Sequence, residues 1–252
     1  MSKNLATLVG LSAIVMWASM VGLIKHVSTA LNPTLGITLI YSFSAIFLLL
    51  IFRFPNFKQI NKTYLILGTI WFTAYDLYFS FAIAYSKTHQ QAIEVSIINY
   101  LWPSLTILAF VIFKELKFNL LIILGLIISI SGIIFIQAGS GTLSIQSILS
   151  NFSSNPLSYI LALLGAIIWA LYCVLTRKMS NGHNPIALFF IVVALTLWLK
   201  LFLTDQFELP TLDITTLTYI IIAACAIGFG YAAWNVGIIQ GNITILVIAS
   251  YF

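Results

Sequence analysis

The sequence predicts an all-α integral membrane protein whose chain repeats itself upside down. Three observations carry this prediction. Of 252 residues, 61% are hydrophobic and 7% are charged, with a mean hydropathy of +1.09, against roughly a quarter charged in an ordinary soluble domain. Eight apolar stretches follow one another, each near the roughly 20 residues that cross a hydrocarbon core as a helix. Residues 6–33 also resemble residues 158–185 without a gap. Such a composition excludes a water-soluble globule and a disordered chain, and two cysteines are too few for a disulfide scaffold.

The spans run from about 5 to 25, 34 to 53, 64 to 85, 91 to 113, 119 to 137, 157 to 176, 185 to 203 and 215 to 236, and a ninth begins near 242. Lipid offers the backbone no hydrogen-bond partners, so a span must be a helix or a strand of a closed barrel. Runs such as LLIILGLIISISGIIFI (120–136) lack the period-two polarity of a barrel strand. The first span is too long for a signal-peptide core and no A-x-A site follows it, so it is expected to stay in the protein. Pro33, Pro55, Pro156, Pro185 and Pro210 fall between spans or at their edges, where a missing N–H costs little. Pro103 alone sits inside a span and, with Asn99 nearby, predicts a broken helix at mid-membrane. Span five carries Gly125, Ser129 and Gly132 at close-packing intervals and no charge, which reads as scaffold. Between spans five and six, Ile145, Ile148, Leu149 and Phe152 follow helical spacing and predict a short helix on the membrane surface.

Basic residues orient the chain. With the N-terminus cytoplasmic, the inner segments hold Lys3, Arg53, Lys58, Lys62, Lys114, Lys117, Arg177 and Lys178, and the outer ones hold Lys25, Lys87 and Lys200. Asp205, Glu208 and Asp213 share one outer loop, so the net charge of +5 is a cytoplasmic-face bias and no nucleic-acid partner is expected.

At a constant shift of 152, Leu11, Trp17, Ala18, Leu23, Ser28, Asn32 and Pro33 meet identical residues, and Lys25 falls on Arg177. Farther on, IINY (97–100) resembles IASY (248–251). Five spans separate the copies, and an odd number means that the second threads the membrane inverted, as in secondary transporters with a site at mid-membrane. The domains read as a first five-helix repeat (1–137), an outer loop with a short interfacial helix (138–156) and a second, inverted repeat (157–252). Ending the second copy at the same point as the first would require about 37 further residues, completing spans nine and ten.

Two acids lie within spans, where ionisable groups are costly. Asp76 is central in span three, with Thr69, Thr73 and Ser80 on its helical face, and fits either a coupling acid or a structural, hydrogen-bonded one. Glu94, about one turn from the outer end of span four, also fits a coupling or a structural acid, and its shallow position favours the structural one. Trp198 and Trp234 fit an interfacial belt, but Trp17, Trp102 and Trp169 sit at mid-depth, where no belt explains them. Trp71, Tyr75 and Tyr78 add an aromatic stripe on span three, so an aromatic-walled, partly polar central cavity is expected. No Walker A, HExxH or aspartate-rich pair occurs, and His26, His89 and His183 are not clustered as ligands, so no catalytic residue, metal or cofactor is expected.

The segments WASMVGLI (17–24), HQQAIEVSIINYLWPSLTIL (89–108), LLGAIIWALYC (163–173) and GFGYAAWNVGIIQGNITI (228–245), with SYF at the end, resemble the EamA type of the drug/metabolite transporter superfamily, and within it the aromatic amino acid exporters. The resemblance implies ten helices in two inverted halves, a cell-membrane setting (plasma or inner membrane) with both termini cytoplasmic, and export of aromatic amino acids and some other aromatic or cationic compounds. It also implies that Trp17, Asn99, Tyr100, Trp102, Trp169, Tyr231, Trp234, Asn235 and Tyr251 lie in helices that form a central cavity. Tyr78 joins them from the stripe on span three. The expected function is secondary transport by alternating access; the alternative is a passive channel or a membrane scaffold or sensor.

Overall fold

A computed structural model describes residues 1–52, 56, 58–120, 123–125, 127–128, 131–132, 145–204 and 212–251. Among the described residues all regular structure is helical. In chain order the helices are α1 (Lys3–Trp17), α2 (Met20–Ala30), α3 (Pro33–Phe52), α4 (Lys62–Ala84), α5 (His89–Asn99), α6 (Trp102–Ile112), α7 (Ile145–Ser154), α8 (Pro156–Met179), α9 (Ile186–Leu203), α10 (Ile214–Gln240) and α11 (Ile243–Ala249).

Seven stretches among the described residues are long and apolar enough to cross a membrane: α1 with α2, α3, α4, α5 with α6, α8, α9 and α10. Their ends are set by polar caps that accept N–H groups the helix cannot pair internally. Asn61 Oδ1 accepts from Thr63 and Tyr64 at 2.9 and 3.3 Å, Thr88 Oγ1 from Gln91 at 3.0 Å, and Asp213 Oδ1 from Thr216 at 3.0 Å. Hydrogen bonds from Thr216 hold the Asp213 carboxyl below its ordinary pKa. This cap is therefore complete above about pH 4 and is lost as pH falls through the lowered value.

The expected span at 119–137 lies largely outside the described residues, Ser129 included. Among the described residues, a Cβ on Gly125 or Gly132 would meet nothing within 4 Å. On the N-terminal side of that segment Glu115 pairs with Lys178 at 3.4 Å, and beyond it Asn151 bonds Glu94 near the opposite ends of the spans. The surface helix expected around 145–152 is α7, in which the side chains of Ile145, Ile148 and Leu149 lie outside the described residues.

Helix α1 packs along α10, α4 along α8, and α3 against α9 and α10, while α5 and α6 both lie on α8. Helices α1 and α10 meet glycine on glycine: an added Cβ on Gly10 would stand 2.9 Å from the Gly237 Cα, and one on Gly237 would stand 2.8 Å from the Gly10 Cα. Tryptophans, tyrosines and phenylalanines fill the interior, whereas Leu8, Val15, Leu50 and Ile214 point outward fully apolar, as lipid permits.

Two spans are broken. Helix α5 ends at Asn99 and α6 starts at Trp102, so Pro103 sits in the first turn of α6, where its missing N–H disrupts nothing. The first span breaks between Trp17 and Met20, and neither proline nor glycine marks that point in the sequence.

Candidate functional site

Both breaks open onto one cavity. Trp17 and Met20 come from the first break; Asn99, Tyr100 and Trp102 come from the second. Tyr75 and Phe79 of α4, Tyr231 of α10 and Ser250, just beyond α11, complete most of its wall. Its volume is about 60 Å³, room for about four waters.

A second aromatic layer backs this wall. The Trp169 ring is fully buried and lies 4.5 Å from Tyr75, 5.3 Å from Tyr231, 6.0 Å from Trp17 and 6.2 Å from Trp102, centroid to centroid. Trp234 lies 5.2 Å from Trp102 and 5.3 Å from Trp17. Full burial among these rings corrects the interfacial reading of Trp234. Trp198 instead donates its indole N–H to Ser42 Oγ at 3.0 Å.

Polar atoms without partners concentrate around these rings. The indole N–H groups of Trp17 and Trp169 and the side-chain oxygen of Asn99 are buried without a partner in hydrogen-bonding geometry, while the Trp234 indole N–H faces the Cys173 thiol. Buried indoles and amides ordinarily find partners, so the site combines donors, an acceptor and aromatic faces that a ligand could engage. Helix ends add to this. Residues at the carboxyl ends of α1 and α5 and at the amino ends of α2 and α6 line the cavity, where backbone carbonyls and N–H groups lack intrahelical partners. Opposite partial charges of helix termini therefore meet in one small space.

The remaining expected residues lie elsewhere. Asn235 is fully buried in a layer behind the wall, where Nδ2 donates to the Tyr172 hydroxyl at 2.8 Å and to Asn184 Oδ1 at 3.1 Å. Tyr251 bonds Ser104 through its hydroxyl and does not line the cavity. Tyr78 is half-buried and also off the wall; Tyr75 and Phe79 face it instead. A stripe drawn through residues 72, 75 and 79 rather than 71, 75 and 78 would have found that face, but both stripes are aromatic.

The two acids have different settings. Asp76 is buried behind the wall, its Oδ1 accepting from Tyr41 at 2.9 Å, and Tyr41 in turn bonds Ser80 at 3.0 Å. Its Oδ2 has no partner in hydrogen-bonding geometry, although the Tyr231 hydroxyl interacts with the carboxyl from α10. Glu94 lies away from the cavity and accepts from Asn151 Nδ2 at 2.9 Å and from the Tyr159 hydroxyl, tying α5 to α7 and α8. Among the described residues no cluster of three or more His, Cys, Asp or Glu could hold a metal ion.

Residues 4–138 match the model of the EamA-like transporter family. Over its whole length the chain is 44% identical to the aromatic amino acid exporter YddG of Escherichia coli (strain K12), covering 86% of that protein. This chain belongs to the EamA-like transporter family. YddG of Salmonella typhimurium (strain 14028s / SGSC 2262), also an aromatic amino acid exporter, is likewise 44% identical, over 256 residues, with the chain again covering 86% of it. A crystal structure 20% identical in sequence shares the fold at a TM-score of 0.73, matched over 99% of this chain and 84% of the other. The EamA family assignment accounts for a multi-pass chain of apolar helices and agrees with the resemblance carried by the segments at 17–24, 89–108, 163–173 and 228–245.

Proposed function

We propose that this EamA-family protein exports aromatic amino acids by alternating access, with the aromatic ring held at the cavity between the two broken spans. The observation that carries this reading is a small mid-span cavity walled by Trp17, Tyr75, Trp102 and Tyr231 and edged by unpaired indole N–H groups and the free Asn99 oxygen. Aromatic faces bind a ring or a cation, at about 0.5 to 2 kcal/mol for each cation–π contact. The orphan donors suit a carboxylate, and the Asn99 oxygen suits an ammonium. Space for about four waters is less than an aromatic amino acid fills, so the rings must part for substrate to enter. The relatives' names support this choice of substrate class.

The same proposal places the protein in a bacterial inner membrane with its N-terminus cytoplasmic, and treats residues 1–137 and 157–252 as inverted repeats. It is a transporter without catalytic residue or cofactor. Purified protein in liposomes is expected to show saturable uptake of labelled phenylalanine that accelerates when unlabelled phenylalanine is present on the far side. Uptake that is linear in concentration and indifferent to the far side would favour the channel reading, and no flux would favour the scaffold.

Asp76 stands outside the wall, and we assign it a structural role: its Tyr41 bond holds α3 against α4. Asp76→Asn keeps an oxygen for Tyr41 and is expected to leave the pH profile of export unchanged. A flattened profile would make Asp76 the coupling acid instead.

A further inference from the structure

Two basic side chains tie spans together at opposite ends of the molecule, and they do so in the same way. Lys25, nine-tenths buried near the end of the first span, donates Nζ to the carbonyl of Ser86, just past the end of α4. Arg177, in the last turn of α8, donates Nη1 to the carbonyls of Ile238 and Ile239 at 2.9 and 2.8 Å, in the last turn of α10. The shift of 152 that places Lys25 on Arg177 also places Ser86 on Ile238. The donors correspond in the repeat, and each acceptor lies 61 residues beyond its donor. Each tie seats a cation on helix C-terminal carbonyls, which lack intrahelical donors and carry partial negative charge.

Three of the four spans joined wall the cavity together with the α5–α6 span, and the fourth stands directly behind it. The first span carries Trp17 and Met20, α4 carries Tyr75 and Phe79, and α10 carries Tyr231, with α8 supplying Trp169 behind them. Lys25 joins the first span to α4 at the face opposite the N-terminus, and Arg177 joins α8 to α10 at the N-terminal face. Both ties are made here, on either side of a small cavity.

We propose that Lys25 and Arg177 are paired gate latches: the cavity opens to one membrane face only when Lys25 releases Ser86, and to the other only when Arg177 releases Ile238 and Ile239. A released cation at a span end can reach water or headgroups, so release is affordable there as it would not be at mid-membrane. Because each latch grips backbone, it holds whatever side chains occupy the acceptor positions. The alternating-access part of the proposed function is assumed; the identity of the substrate is not.

The test uses the full chain in oriented vesicles, with Met20→Cys as a reporter in the cavity and Cys225→Ala to remove the partly exposed native thiol. Labelling by a membrane-impermeant maleimide is followed from each face. Lys25→Met is expected to raise the rate at least tenfold from the face opposite the N-terminus and to leave the other face unchanged. Arg177→Met is expected to do the reverse, and Lys25→Arg and Arg177→Lys, which keep a donor, are expected to restore low rates. Equal acceleration from both faces, or from neither, would overturn the proposal. Should Arg177→Met fail to insert, the graded effect of Arg177→Gln on the same one-sided rate decides the matter. Labelling requires no substrate, so one-sided opening without phenylalanine export would refute the substrate reading and leave the latches standing.

Discussion

Trp102→Ala is expected to lose most export while the protein remains folded, whereas Trp169→Ala is expected to lose both transport and stability. The difference follows from where the rings stand. Trp102 lines the cavity, so its truncation widens a space that exists already and strips one aromatic face from the proposed substrate site. Aromatic pairs contribute about 0.5 to 1.5 kcal/mol beyond area burial, and lost contact area adds to that, which corresponds to a KM raised about tenfold or more. Trp169 is enclosed, with Trp17, Phe72, Tyr75, Trp102, Tyr172 and Tyr231 all within 6.5 Å, centroid to centroid. Truncating a buried ring of this kind costs about 3 to 5 kcal/mol. Thermal melting in detergent, set beside phenylalanine transport in liposomes, separates the two cases. A wild-type KM for Trp102→Ala would remove that ring from the substrate site, and a wild-type melting temperature for Trp169→Ala would contradict the packing described above.

Gly237→Ala is expected to lower the melting temperature sharply, and Gly22→Ala to leave it unchanged or raise it. The new methyl at Gly237 would sit 2.8 Å from the Gly10 Cα and 2.7 Å from a Leu246 methyl, so α1 and α10 would have to separate along this contact. Overpacking of this kind costs about 1 to 3 kcal/mol when neighbours can yield, and here one neighbour is backbone. At Gly22 a Cβ meets nothing within 4 Å, while alanine recovers up to about 1 kcal/mol of helix propensity. Equal melting of the two variants would mean that the α1–α10 approach does not limit stability. Helix α1 ends at Trp17 and α10 carries Tyr231, so any separation also shifts the cavity wall.

Much of the candidate site could be read along the chain. Counting residues from span ends put Trp17, Trp102 and Trp169 at mid-depth, and all three lie in or directly behind the cavity wall. Asn99 and Pro103 pointed to a broken span, and the break falls between Asn99 and Trp102. Position along a helix axis is legible because hydrocarbon thickness turns sequence distance into depth.

Rotation about the axis is another matter. In a soluble helix the polar face marks the outside, but a membrane helix is apolar toward lipid and toward protein alike, so its inward face carries no sequence contrast. That is why Tyr78 looked as suitable as Tyr75 or Phe79, and why Trp234 could pass for an interfacial residue although it is fully buried. The first-span break between Trp17 and Met20 and the retreat of Asn235 behind the wall depend on which neighbour each face meets, as does the pairing of Lys25 with Ser86. By itself, the sequence determined a helical membrane protein and the depth of its aromatic residues, because lipid constrains length and composition. Only the tertiary structure decided which faces turn inward and which polar atoms are left free, because those depend on contacts between spans far apart in the chain.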